Sequence, residues 1–234
     1  MIALVLAAVV AAAPADTGQH LHFTADAGLV TTSGNTDNTS INVGDKIVGI
    51  AGAWTFTQVF AVIYGRNDSV LTSSSWRGSL RGERAVSSRV GIFVLTEFDR
   101  DTFAGIASRY TPQFGASVAA VAAPRDTLRA ELGATYTWQN AFAPDTARTS
   151  AGARMALRYV HQFTSKSTIS EAIEYLPNLQ VGADYRINSE TTLTAPISRG
   201  LSFKADYAIR YNGLPEPGFK TTDRVLTTGI QVTF

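Results

Sequence analysis

The chain has 234 residues, 45% hydrophobic and 17% charged, with a formal net charge of +1. That balance gives no electrostatic footprint for nucleic acid, and the absence of cysteine excludes a disulfide framework, a zinc–thiolate centre and a cysteine nucleophile. The length suits one domain, since all-β barrels of this size are usually single.

The chain opens on an apolar run, Met1 to Ala13, followed by Ala13-Pro14-Ala15 and then Asp16. A short apolar stretch ending in A-x-A is the form of a signal peptide, so residues 1–15 are expected to be an export leader and 16–234 the mature domain. No Lys or Arg follows Met1, so the basic start of such a leader is missing. The run falls short of the about 20 apolar residues of a spanning helix.

Beyond it the repeating feature is alternation, the mark of strands with two unlike faces. Val90, Ile92, Val94 and Phe98 oppose Glu97 and Asp99. Leu128, Ala130, Leu132, Tyr136 and Trp138 oppose Arg129 and Glu131. Met155, Leu157, Tyr159, His161 and Phe163 oppose Arg154 and Arg158. Val181, Ala183, Tyr185 and Ile187 oppose Asp184 and Arg186. Leu201, Phe203, Ala205, Tyr207 and Tyr211 oppose Lys204, Asp206 and Arg210. In order the pattern predicts strands near 20–32, 39–49, 53–65, 75–87, 89–100, 105–117, 126–139, 149–163, 167–176, 179–195, 199–212 and 222–234. Two carry irregularities: Glu171 shares the apolar parity of Ile169 and Ile173, and Pro112 costs its strand a ladder bond unless the backbone bulges.

Many of these runs are longer than the roughly 5–6 residues usual in soluble sheets and match the about 9–11 of tilted membrane-spanning strands. Twelve is an even number, as bacterial single-chain barrels require. The connections mostly alternate between short and long, polar ones, with two exceptions: Val118–Arg125 is long on the short side and Leu176–Asn178 short on the long side. The expected fold is therefore all-β, an antiparallel up-and-down transmembrane β-barrel of about 12 strands. It would lie in outer-membrane lipid, with short periplasmic turns and longer outer loops.

In that frame Tyr64, Trp76, Phe98, Trp138 and Tyr211 form an outer aromatic girdle, and Trp54, Phe163 and Phe234 an inner one. The lumen receives the charged parity: Arg77, Arg81, Glu83, Glu97, Asp99, Arg109, Arg129, Glu131, Arg154, Arg158, Glu174, Asp184, Arg186, Lys204, Asp206 and Arg210. Such charges are tolerable only if they face water or each other. The last strand places Leu226, Ile230, Val232 and Phe234 on one parity. It resembles the C-terminal signature of outer-membrane barrels, which implies recognition by the barrel-assembly machinery.

Three stretches carry a further resemblance: Ser33-Gly34-Asn35-Thr36-Asp37 within 29–40; Glu174-Tyr175-Leu176-Pro177 with Tyr185 and Ser189-Glu190; and Tyr207-Ala208-Ile209-Arg210-Tyr211-Asn212 with Pro215, Pro217-Gly218 and Lys220-Thr221-Thr222-Asp223. Together they resemble the DUF481 family, whose members are often labelled salt-induced outer-membrane proteins. The resemblance implies outer-membrane location and this fold, and brings no catalytic residues.

No cofactor motif is present, and no phosphate-binding glycine loop or nucleophile elbow. Gly34-Asn35-Thr36-Asp37 lacks the spacing of a calcium-binding EF-hand loop and reads as a polar hairpin turn. His20 and His22 have the spacing of a weak metal pair but read as a solvated terminus. Three functions follow. The first is a narrow channel for small solutes or ions, tied to salt or osmotic stress through the family resemblance. The second is a non-transporting envelope-integrity barrel with a plugged lumen. The most distant is a lipid-modifying enzyme using His161.

Overall fold

The computed structural model describes residues 20–33, 38–67, 70–142, 147–163 and 167–234; the expected leader and the Gly34–Asp37 turn lie outside them. Twelve strands follow one another: β1 (His20–Ser33), β2 (Asn38–Ala51), β3 (Trp54–Asn67), β4 (Val70–Ala85), β5 (Val90–Asp101), β6 (Ile106–Ala122), β7 (Asp126–Ala141), β8 (Ala147–Gln162), β9 (Thr168–Pro177), β10 (Tyr185–Ser198), β11 (Leu201–Asn212) and β12 (Thr222–Thr233). Each pairs antiparallel with its chain neighbours, and β1 pairs with β12 to close the ring. Closure gives every strand a paired neighbour on both sides, the condition for a sheet to cross lipid.

The distribution of polarity is inverted relative to a soluble protein. Phe114 is 66% exposed, Val94 63% and Leu132 62%, all on the outer face, while Asn42 (1%), Asp206 (1%) and Gln113 (2%) are enclosed within the barrel. An apolar exterior around a polar interior matches a barrel solvated by lipid. Part of the interior is apolar as well: Val30, Ala61, Ile63, Ala208 and Val225 cluster where β1, β3, β11 and β12 come together, filling the lumen beside the seam.

Aromatic rings mark both ends of the apolar band. At the outer end Phe98, Tyr110 and Trp138 are cross-strand partners on β5, β6 and β7, with ring centroids 4.5 and 5.4 Å apart. Tyr185 and Tyr211 lie 5.4 Å apart. At the inner end Trp54 stacks on Phe56 and Phe23 lies 5.7 Å from Phe234.

Glycines shape the cross-section at two places. Gly28 faces Gly229 across the β1–β12 seam, and Gly115 faces Gly133 between β6 and β7 on the opposite side of the ring. A Cβ on any of the four falls about 2.2–2.5 Å from a backbone oxygen of the neighbouring strand. The paired backbones thus leave no room for a side chain at either place, and only glycine fits.

Two local expectations are corrected. The strand expected over 179–195 begins only at Tyr185. The Asn178 side chain accepts the backbone N–H groups of Gln180 and Val181 and donates to Asp184 Oδ2 at 2.8 Å. An asparagine offering these bonds to the backbone two and three residues on makes a turn in place of a ladder. Asn178–Asp184 is therefore a long outer loop, and Asp184 lies in it, outside the strand. Likewise β6 runs on to Ala122, leaving a three-residue inner turn at 123–125, so both exceptions to the loop rule disappear. Pro112 causes no bulge: Tyr110↔Trp138 and Gln113↔Thr135 keep one register, and the β6–β7 shifts fall at Ile106/Ser108 and Ala119/Val121.

Candidate functional site

The barrel wall carries most lumen side chains on its strands, so the site is largely a matter of register. At its centre is a chain of alternating charge. Arg81 of β4 reaches Glu131 of β7 through two contacts, 2.8 and 3.2 Å, and Glu83 at 2.8 Å. Glu131 also accepts Arg154 of β8 at 2.5 Å, and Arg154 Nε donates to Glu174 of β9 at 2.7 Å. Asn188 of β10 completes Glu174 at 2.9 Å. Arg129 joins Glu83 at the inner end, and Ser117 Oγ accepts from Arg129 and donates to Glu83. The Phe93 ring points inward beneath the guanidiniums of Arg81 (4.1 Å) and Arg154 (5.5 Å), a cation–π arrangement that a desolvated interior strengthens.

A second chain crosses the outer end. Arg77 and Arg109 both contact Asp99, at 3.1 and 3.5 Å. Arg109 Nε donates to Gln139, whose amide donates to Glu216 at 2.6 Å, and Arg148 binds the other Glu216 oxygen at 2.9 Å. Glu216 lies in the loop of residues 213–221 between β11 and β12, whereas Gln139 and Arg148 belong to β7 and β8 across the ring. This loop therefore spans the mouth as a strap, with Glu216 only 2% exposed. Its Phe219 ring rests against Gly105, which holds a φ of +74° in the loop between β5 and β6; a Cβ there falls 2.5 Å from the ring.

A third group sits beside the seam. Lys204 pairs with Asp206 at 2.9 Å and reaches Asp26 at 3.8 Å, while Thr192 donates to Asp206 and Asn42 to Asp26. Arg210 faces Glu190 at 3.8 Å. Lys46 of β2 is 5% exposed, and its ammonium has no hydrogen-bond partner among the described residues.

These groups leave two spaces. The inner cavity measures 180 Å³ and is lined by six cations (Lys46, Arg81, Arg129, Arg154, Arg158 and Arg210) and four carboxylates. The outer one, of 50 Å³ beneath the strap, carries Arg109, Arg186, Arg210 and Lys220 against Asp101 and Asp223. Asn188 and Arg210 line both, which puts the partition between the cavities at these two side chains.

Among the charged residues expected in the lumen, Arg81, Glu83, Arg129, Glu131 and Arg154 stand in the central chain, with Glu97 accepting from Gln113 at 2.6 Å. Arg158, Arg186 and Arg210 line the cavities, and Lys204 and Asp206 lie by the seam. Tyr64, Trp76, Phe98 and Trp138 are exposed on the outer half of the wall and Trp54 and Phe163 at the inner end, while Tyr211 is half-buried against Tyr185. Phe234 donates its N–H to Phe23 and is 75% exposed.

The alternation missed Asp26, Asn42 and Lys46. They share an inward parity with Val30 and Val48, while Asp45 sits on the outward parity, so β1 and β2 read as mixed. It also missed Gln139, Arg148 and Glu216, which meet only because a loop crosses the mouth. Glu171 lies on the outer face as its parity dictates, bound by Ser189 at 2.8 Å and by Thr191. His161 is on the outer face too. Its Nδ1 lies 2.8 Å from Asp126, which also accepts Tyr159 OH.

The family model described as "Protein of unknown function, DUF481" matches residues 25–234, and the chain belongs to that family. No curated protein matches it. Among solved structures, the NanC porin aligns over 89% of this chain and 98% of its own at 10% identity and a TM-score of 0.60. The translocator domain of the autotransporter NalP from Neisseria meningitidis aligns over 92% and 88% at 11% identity (TM-score 0.51). The KdgM porin, solved with disordered oligogalacturonate, aligns over 90% and 99% at 11% identity (TM-score 0.50). At such identities the likeness is one of fold, and together with the apolar exterior it places the chain as a β-barrel of the bacterial outer membrane.

Proposed function

We propose that the barrel is a narrow channel for small solutes that prefers anions. The observation that carries this reading is the excess of cations in both cavities, six to four in the inner and four to two in the outer. With low-dielectric walls, an excess of one sign concentrates the opposite ion. The 180 Å³ of the inner cavity is below the roughly 300–1,000 Å³ of sites for drug-sized ligands, so the solute is small. A role in salt or osmotic stress is part of this proposal.

Reconstitution into planar bilayers under a salt gradient tests the reading. Discrete conductance with a reversal potential on the anion side is expected, and silence at high protein load rejects it. Short oligogalacturonates, the molecule named with one fold neighbour, belong among the solutes tried. A plugged envelope-integrity barrel is the second reading. It is favoured by the strap and by the continuous ion pairing, and predicts no conductance but a membrane-stress phenotype on deletion.

A further inference from the structure

We infer that the inner cavity is a binding site for a compact organic carboxylate, with the Lys46 ammonium as its main ligand. Lys46 is enclosed on β2, lines the cavity and has no acceptor among the described residues. A second cation, Arg158, lines the same cavity. Arg158 stands on β8, six strands away in the twelve-strand ring, so the two cations face one another across the space. A buried ammonium opposed by cations is costly, and an anion between them removes both the missing acceptor and the repulsion.

Most other cations of the cavity are engaged. Arg81, Arg129 and Arg154 share Glu83, Glu131 and Glu174. Lys46 is therefore where the charge excess is available. The surrounding wall chooses among anions. Ala85, Ala156 and Ala172 give it apolar ground, and Thr55, Thr57 and Asn188 give hydroxyl and amide groups. A carboxylate with a short aliphatic body fits this mixture. Inorganic phosphate or chloride leaves the alanine surface in contact only with water.

The inference deepens the channel reading, yet its test needs no conduction. The full chain, folded in an uncharged detergent, is titrated calorimetrically with sodium butyrate, and in parallel with chloride and inorganic phosphate. Saturable butyrate binding is expected in the unaltered protein. It weakens at least about tenfold in Lys46→Met, since a hydrogen bond to a charged group is lost. Lys46→Arg restores it, and Lys220→Met, in the outer space, leaves it unchanged. Absence of saturable butyrate binding, undiminished binding in Lys46→Met, or equal loss in Lys220→Met overturns the site. Tighter binding of phosphate or chloride overturns its assignment to a carboxylate. Heat-modifiable migration of each variant on a detergent gel separates lost binding from lost folding. Binding without conductance sinks the channel and leaves the site; conductance without binding does the reverse.

Discussion

Arg81 and Glu131, fifty residues apart in sequence and on strands separated by two others, meet inside the barrel in a two-point pairing of 2.8 and 3.2 Å. A guanidinium and a carboxylate held side by side pair more strongly and more directionally than a single contact. Because Glu131 also serves Arg154 and Arg129, removing it takes one of two carboxylates from three cations at once and leaves them Glu83 and Glu174.

Glu131→Ala is therefore expected to cost about 1.5–3 kcal/mol, the range for losing hydrogen bonds to charged groups whose other partners remain. Urea unfolding in lipid vesicles, followed by heat-modifiable migration, measures it. Adding Arg154→Met to Glu131→Ala should cost less than the sum of the single changes, since the two share one network.

The strap gives a second prediction. Glu216→Gln weakens its hold on Arg148 and Gln139 while preserving side-chain size. Larger or longer-lived openings in planar bilayers are expected, with little change in thermal stability. Arg148→Met should act in the same direction, because it removes the same contact from the other side.

Selectivity should follow the charge of the cavity. Arg158→Glu changes its lining from six cations and four carboxylates to five of each. The reversal potential under a salt gradient is expected to move toward zero. An unchanged reversal potential places selectivity elsewhere.

On the outer face, Trp138 touches both Tyr110 and Tyr136, at 5.4 and 4.5 Å. Trp138→Ala is expected to lower stability by about 1–3 kcal/mol, counting about 0.5–1.5 kcal/mol for each ring pair. The same denaturant titration measures it, with conductance unaltered.

The twelve strands were legible because lipid outside and water or charge inside force a period of two over long runs. Where the inner wall is itself apolar, as at Val30, Val225 and Val48, the alternation loses contrast, and Lys46 was overlooked for that reason. Val181 to Asp184 shows the opposite error: alternating residues mimic a strand, but Asn178 takes the backbone bonds. Glu216 and its partners lay beyond any periodic reading. Their meeting depends on which loop spans which diameter, and that follows from closure of the ring.

The bare meeting of Gly28 and Gly229 bears on how the molecule is made. The seam joins the first strand of the barrel to the last, so it pairs segments from opposite ends of the chain. A single added methyl group there collides with the facing carbonyl, at 2.3 Å from one side and 2.2 Å from the other. A substitution at the seam is thus expected to act on closure of the ring itself, the step that brings the two ends of the barrel together.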